Sequence, residues 1–235
     1  MRAIARTLAG QQKASGLAAL YLAAAYLLAI PFFLVVVDYM SVTDPAAKVA
    51  LLVADHGSVQ LMELITYVFF GLALAVLVLA LHERLASGAQ SLMRYATVVG
   101  LLWAFALVAS GLIFNAGLGA VVSLYPSNPG QAVSMWQAIE PVEQGLSCTD
   151  GEILGGLWVL LVSIAGLRGG GLFKPLCWLG LAVGFVGVLS VIPPLHDAAL
   201  VFGLLQIGWF AWLGIALLRP TERAELPLAI KGSFA

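Results

Sequence analysis

Asp38, Glu63, Glu140, Glu143, Asp150, Glu152, His196 and Asp197 are the side chains of this chain best suited to chemistry. In the layout below they all map to helix ends or connections on one side of a membrane. Carboxylates gathered there would attract a cation, an amine or a proton by long-range attraction. The plainer reading is that acids face water where basic residues are excluded. His196 and Asp197 form a tight turn after Pro193-Pro194, and imidazole with carboxylates suits a transition metal. Neither His56 nor His82 completes a metal motif, however, and the chain has no H-x-x-x-H or H-E-x-x-H. Ser110 has no His or Lys within a span to activate it, which argues against a serine hydrolase. No catalytic residue and no metal ligand is assigned, and the sequence leaves any cofactor open.

The binding candidates are Asp38, Glu63, Tyr67, Asn115, Glu152, His196 and Asp197. Glu63 falls about one turn inside an apolar run, with Thr66 and Tyr67 expected on the same helix face. A carboxyl at that depth is costly and faces a bundle interior or water, unless the helix starts later and leaves it among headgroups. Thr149-Asp150-Gly151-Glu152 fits a capping box, with Thr149 as N-cap and Glu152 at the third helical position. The same helix start offers free N–H groups to an anion. Gln206 lies near a midplane and needs an interhelical partner, for which Asn115 is the candidate.

The elements that must position these residues are read from composition and charge. Hydrophobic residues make up 62% of the chain and charged residues 10%. A soluble domain carries about 45–50% and about 25%. A chain this apolar cannot cover a water-facing surface, so its solvent must be largely lipid. The apolar runs predict an all-α polytopic bundle of six transmembrane helices in one domain, 1–235. The spans are Gly16–Val37, Val59–Leu81, Tyr95–Leu124, Gly151–Leu167, Pro175–Ile192 and Ala198–Leu218. The third is too long for one perpendicular crossing. Six crossings put every Lys and Arg except Lys48 on one side, and every acid except Glu83, Glu222 and Glu225 on the other. By the positive-inside rule the basic side, with both termini, is cytoplasmic. A net charge of −1 and the lack of a dense basic patch argue against nucleic acid.

Aromatic residues are expected at the two interfaces: Trp178, Trp209 and Trp212 inside, Tyr39, Tyr125 and Trp136 outside, with Trp158 deeper. Asp44-Pro45 predicts an N-cap and a first-turn proline, opening a short surface helix Ala46–Asp55. Pro126-Ser127-Asn128-Pro129-Gly130 is a turn cluster, followed by a second surface helix Ala132–Ile139 interrupted at Pro141. Both would be extracytoplasmic. Gly169-Gly170-Gly171 reads as a tight turn, and Gly180 with Gly184 as a close-packing G-x-x-x-G. Arg2, Arg6 and Lys13 before the first apolar run imitate a secretory signal. That run is longer than a signal core and no A-x-A closes it, so an uncleaved first span is expected. Cys148 and Cys177 map near opposite faces, too far apart for a disulfide.

Gly151-Glu-Ile-Leu-Gly-Gly-Leu-Trp-Val-Leu-Leu-Val-Ser163, continuing through Leu167-Arg168 and the run from Trp178, resembles a broad group of uncharacterised bacterial six-helix membrane proteins. The segment before the second span shares the likeness. The resemblance implies a bacterial inner-membrane bundle and carries over no site residue. The functional expectation is a non-enzymatic membrane protein that binds a small or hydrophobic ligand, or serves as an accessory subunit of a membrane complex. Its partners would be the bilayer, further membrane subunits or a second copy. A carrier of small solutes, proton-coupled through an acidic vestibule around Glu63, is the alternative. A metal-dependent intramembrane enzyme ranks third.

Overall fold

The computed structural model describes residues 2–39, 41–147 and 151–219. Cys148, Thr149, Asp150, Arg223 and Lys231 lie outside the described residues. Those residues form helices and turns, with no strand among them. The helices are α1 (Arg2–Pro31), α2 (Pro45–Ala54), α3 (His56–Glu63), α4 (Phe69–Leu124), α5 (Pro129–Ser147), α6 (Ile153–Gly169), α7 (Lys174–Leu189) and α8 (Ala198–Leu218). Two π-helical turns, Phe32–Val36 and Leu64–Val68, extend α1 and join α3 to α4.

Three stretches are long and apolar enough to cross a membrane: Gln12–Val36, His56–Leu124 and Ala198–Leu218. The second is 69 residues long and folds back on itself. Ala89, at φ −153° and ψ 52°, breaks the helix. Gly71 then lies against Ala104, Gly100 against Val78, and the His82 ring against Thr97, an antiparallel hairpin. The α6 and α7 helices are apolar but only 17 and 16 residues long. The bundle exterior is apolar too: Phe105 is 69% exposed and Val35 76%. Such side chains around a bundle that buries Gln206 and Ser110 suit lipid rather than water.

Small residues bring the helices together. Gly156 and Gly184 set α6 against α7 at backbone contact, which realises the expected close packing of the G-x-x-x-G. Gly16 and Gly214 do the same for α1 and α8. Gly170 and Gly171, at φ 76° and 87°, make the turn between α6 and α7. That turn meets the α4 hairpin tip, where Arg84 Nε donates to the Gly171 carbonyl. Gln12, in the first half of α1, donates to the carbonyls of Leu217 and Arg219 at the end of α8. Lys13, Arg84, Arg94, Arg168, Lys174 and Arg219 therefore belong to one end of the bundle, which we call the basic end.

The main core is a column of aromatic rings. Trp158 lies 5.9 Å from Trp103 and 5.7 Å from Trp209, and Phe70 and Phe210 complete the contacts. Trp209 is therefore fully buried rather than placed at an interface, because α8 turns this face onto α6. Trp178 and Trp212 are exposed, as interfacial rings would be.

A second core caps the opposite, acidic end. Val37, Val49, Leu52, Val59, Phe114, Leu118, Val121, Ala132 and Trp136 pack there. The protruding end of α4 is thus covered by protein. Asp44 caps α2, its carboxylate accepting from the Ala47 N–H at 2.7 Å, as expected. The expected break at Pro141 does not occur, and α5 runs through it. Proline removes one ladder hydrogen bond, but Ala132, Trp136, Glu143 and Ser147 form one buried stripe on both sides of it. Packing against α4 holds the helix together. It also buries Trp136, which meets Phe114 edge-on at 5.1 Å instead of lying at an interface.

Lys48, the one Lys or Arg among the described residues away from the basic end, bonds Glu140 at 2.9 Å and sits 4.7 Å over the Tyr39 ring. Tyr39 donates to the same carboxylate. Burial, then this hydrogen bond and the Glu140 charge, push the Tyr39 phenol well above its ordinary range. The phenol stays protonated and ties α5 to the end of α1.

Candidate functional site

A cavity of about 350 Å³ opens between α1, α8 and the start of α4 near the acidic end. Ala29, Ile30 and Leu34 form one wall, and Ala199, Leu200 and Gly203 the other. Thr66, Tyr67, Ser147 and Glu152 supply its polar residues. Both π-helical turns border it, through Phe33 and Leu34 on one side and Thr66 and Tyr67 on the other. A π turn widens the helix and re-aims side chains, and such turns concentrate at functional sites.

Glu152 reaches the cavity because of the turn before it. Gly151 has φ 149°, and a Cβ there would meet the Val191 backbone at 2.8 Å. Only glycine suits that turn. It makes Glu152 the N-cap of α6 rather than its third helical residue. Glu152 is therefore not the third helical residue that the expected capping box requires, and Thr149, its other half, lies outside the described residues; the Glu152 side chain caps no N–H of α6, and its Oε2 is buried without a partner. Its backbone N–H instead donates to Ser190 Oγ at 2.9 Å, and Ser190 in turn donates to the Gly187 carbonyl.

The seven candidate residues do not converge. Tyr67 and Glu152 line the cavity. Glu63 does not line it, although the sequence put it on a face with Thr66 and Tyr67. The π turn beginning at Leu64 inserts extra backbone between them and breaks the helical register. Glu63 is buried at 4% exposure, with its Oε2 unpartnered. Asn115 donates to the Gly111 carbonyl of its own helix, and Gln60 donates to the Asn115 carbonyl. Gln206 stays buried without it, both amide atoms unpartnered. Asp38, at φ 51°, is exposed, as are His196 and Asp197.

Sequence reading missed two lining residues, Tyr26 and Ser147, and left Glu143 out of the binding candidates although it is buried on α5. Ser110 donates to Glu143 Oε1 at 2.8 Å. Burial raises the Glu143 carboxyl above its ordinary value, and hydrogen bonds from Ser110 and Ser147 offset part of that rise. The α5 stripe was the available signal for Glu143 and Ser147, since both continue the spacing set by Ala132 and Trp136.

Among the described residues no three His, Cys, Asp or Glu side chains are grouped to hold a metal. The cavity presents an apolar wall, a few hydroxyls and one carboxyl. Such an arrangement can hold and orient a molecule with an apolar body. No family model, curated protein or solved structure matches this chain, so the likeness to uncharacterised six-helix proteins gains no support from them.

Proposed function

We propose that this chain is an integral membrane protein that binds a ligand with an apolar body, non-enzymatically, in the cavity between α1 and α8. The observation carrying the reading is the pairing of an apolar cavity with a single buried, unpartnered carboxyl oxygen at Glu152. Small-ligand sites typically combine apolar walls with a few placed polar groups. Six crossings fit this reading: α1, the two arms of the α4 hairpin, α6, α7 and α8. With the basic end cytoplasmic in a bacterial inner membrane, both termini face the cytoplasm and the cavity opens toward the outer leaflet. Reporters fused after residue 13 and after residue 219 should both be active only as cytoplasmic reporters. Periplasmic activity at either position would remove the six-crossing layout.

The ligand reading is tested by native mass spectrometry of the protein extracted in nanodiscs. The wild type should retain a discrete bound amphiphile, and Ala29→Trp, which fills the cavity, should lose it. The same adducts on both proteins, or none on the wild type, would overturn the reading.

A further inference from the structure

Two hydroxyls of the cavity have already given their protons to backbone carbonyls. Thr66 has committed its hydroxyl proton to the Met62 carbonyl at 2.8 Å. Ser147 donates to the Gln144 carbonyl at 3.1 Å. Tyr26 and Tyr67, the other polar residues lining the cavity, already hold partners. Glu152 Oε2 is buried and accepts nothing. No Lys, Arg or His is among the described lining residues, so the carboxylate has no internal counter-charge there. The described basic side chains other than Lys48 belong to the far end of the bundle, and Lys48 is engaged with Glu140.

A hydroxyl offers such a site one donor, whereas a primary ammonium offers three and a positive charge. A buried carboxylate without a partner is costly, and an ammonium both satisfies and neutralises it. An anionic head would meet the like charge of Glu152 with no Lys, Arg or His among the described lining residues to offset it. We propose that the ligand is an amphiphile with a primary ammonium head, seated on Glu152 with its chain between α1 and α8. This rests on the ligand-binding reading of the cavity. A simple long-chain amine and an ethanolamine-headed lysolipid share this chemistry. A choline head carries charge but no N–H, so it separates hydrogen bonding from charge alone.

The test uses the full chain in phosphatidylcholine nanodiscs, titrated with dodecylamine, dodecanol, dodecanoate, lysophosphatidylethanolamine and lysophosphatidylcholine. Bound adducts are counted by native mass spectrometry. Wild type should retain a primary-amine probe at least about tenfold better than dodecanol, about the value of one charge-assisted hydrogen bond over a neutral one. Glu152→Gln should erase that margin while still binding dodecanol. Preference for lysophosphatidylethanolamine over both dodecylamine and lysophosphatidylcholine would assign the head to an aminophospholipid, and preference for dodecylamine to a free amine. If dodecanol or lysophosphatidylcholine binds as well as both primary amines, the ammonium assignment is overturned while the cavity reading stands. If no probe binds, or if Ala29→Trp binds them all unchanged, the cavity reading itself falls. The wild-type series decides the matter even if Glu152→Gln fails to fold.

Discussion

Gly156→Leu should prevent α6 and α7 from docking and leave little folded protein in mild detergent. A Cβ at Gly156 would lie 2.6 Å from the Val188 backbone nitrogen and 2.8 Å from the Gly184 carbonyl oxygen. Those are backbone atoms, which cannot swing aside as a flexible side chain can. In lipid the helices associate through close van der Waals contact, interhelical hydrogen bonds and lipid entropy, so separating two backbones forfeits the contact along the whole interface. Overpacking alone costs about 1–3 kcal/mol in ordinary cores, and more where backbone must move. Gly156→Ala should already lower the thermal midpoint, with Gly156→Leu far worse. Gly10→Leu is the control, because its Cβ meets nothing within 4 Å. Equal midpoints for Gly156→Leu and wild type would show that α6 and α7 do not pack as described.

Trp158→Ala should be the most damaging large-to-small change in the chain. Trp158 is fully buried and touches Trp103, Trp209 and Phe210, so its removal empties the centre of the aromatic column. Comparable truncations of buried Trp or Phe cost about 3–5 kcal/mol. Chemical unfolding in mixed micelles should show that loss, and Trp158→Phe should recover much of it. A further readout comes from Gly100, where a Cβ would meet the Trp158 ring at 2.6 Å. Gly100→Ala should therefore destabilise the wild type, and do so less once Trp158 is Ala. Additive effects of the two changes would mean that the contact is absent.

The cavity ties these packing features to function. Its walls come from helices joined by glycine contacts toward the basic end, and its polar end from a turn that only glycine can make. Stability of the α1–α8 pair and access to Glu152 should therefore move together. A substitution at Gly214, where a Cβ would meet the Gly16 carbonyl at 2.9 Å, is expected to perturb ligand retention without touching the cavity.

Much of the fold was legible in the sequence because lipid leaves few solutions. Apolar composition, the separation of basic from acidic residues, Asp44-Pro45 and the glycine turn at Gly170-Gly171 are local or statistical signals that do not depend on a partner helix. They marked the apolar segments, the α2 cap and the small-residue packing. Tertiary contact decided the rest. Pro141 reads as a break until α4 supplies a surface that buries Trp136 and Glu143 on either side of it. Trp209 and Trp136 read as interfacial rings because composition cannot say which face of an apolar helix meets protein.

The site followed the same division. The sequence singled out Tyr67 as a helix-face neighbour of Glu63, and Glu152 through the capping pattern at a helix start. Their meeting in one cavity, which Glu63 does not line, depends on α6 packing beside α4, with Tyr67 on the π turn at Leu64–Val68 that changes the register after Glu63. A register change of that kind has no signature in hydrophobic periodicity, since one widened turn alters the facing of every later residue while leaving the composition the same.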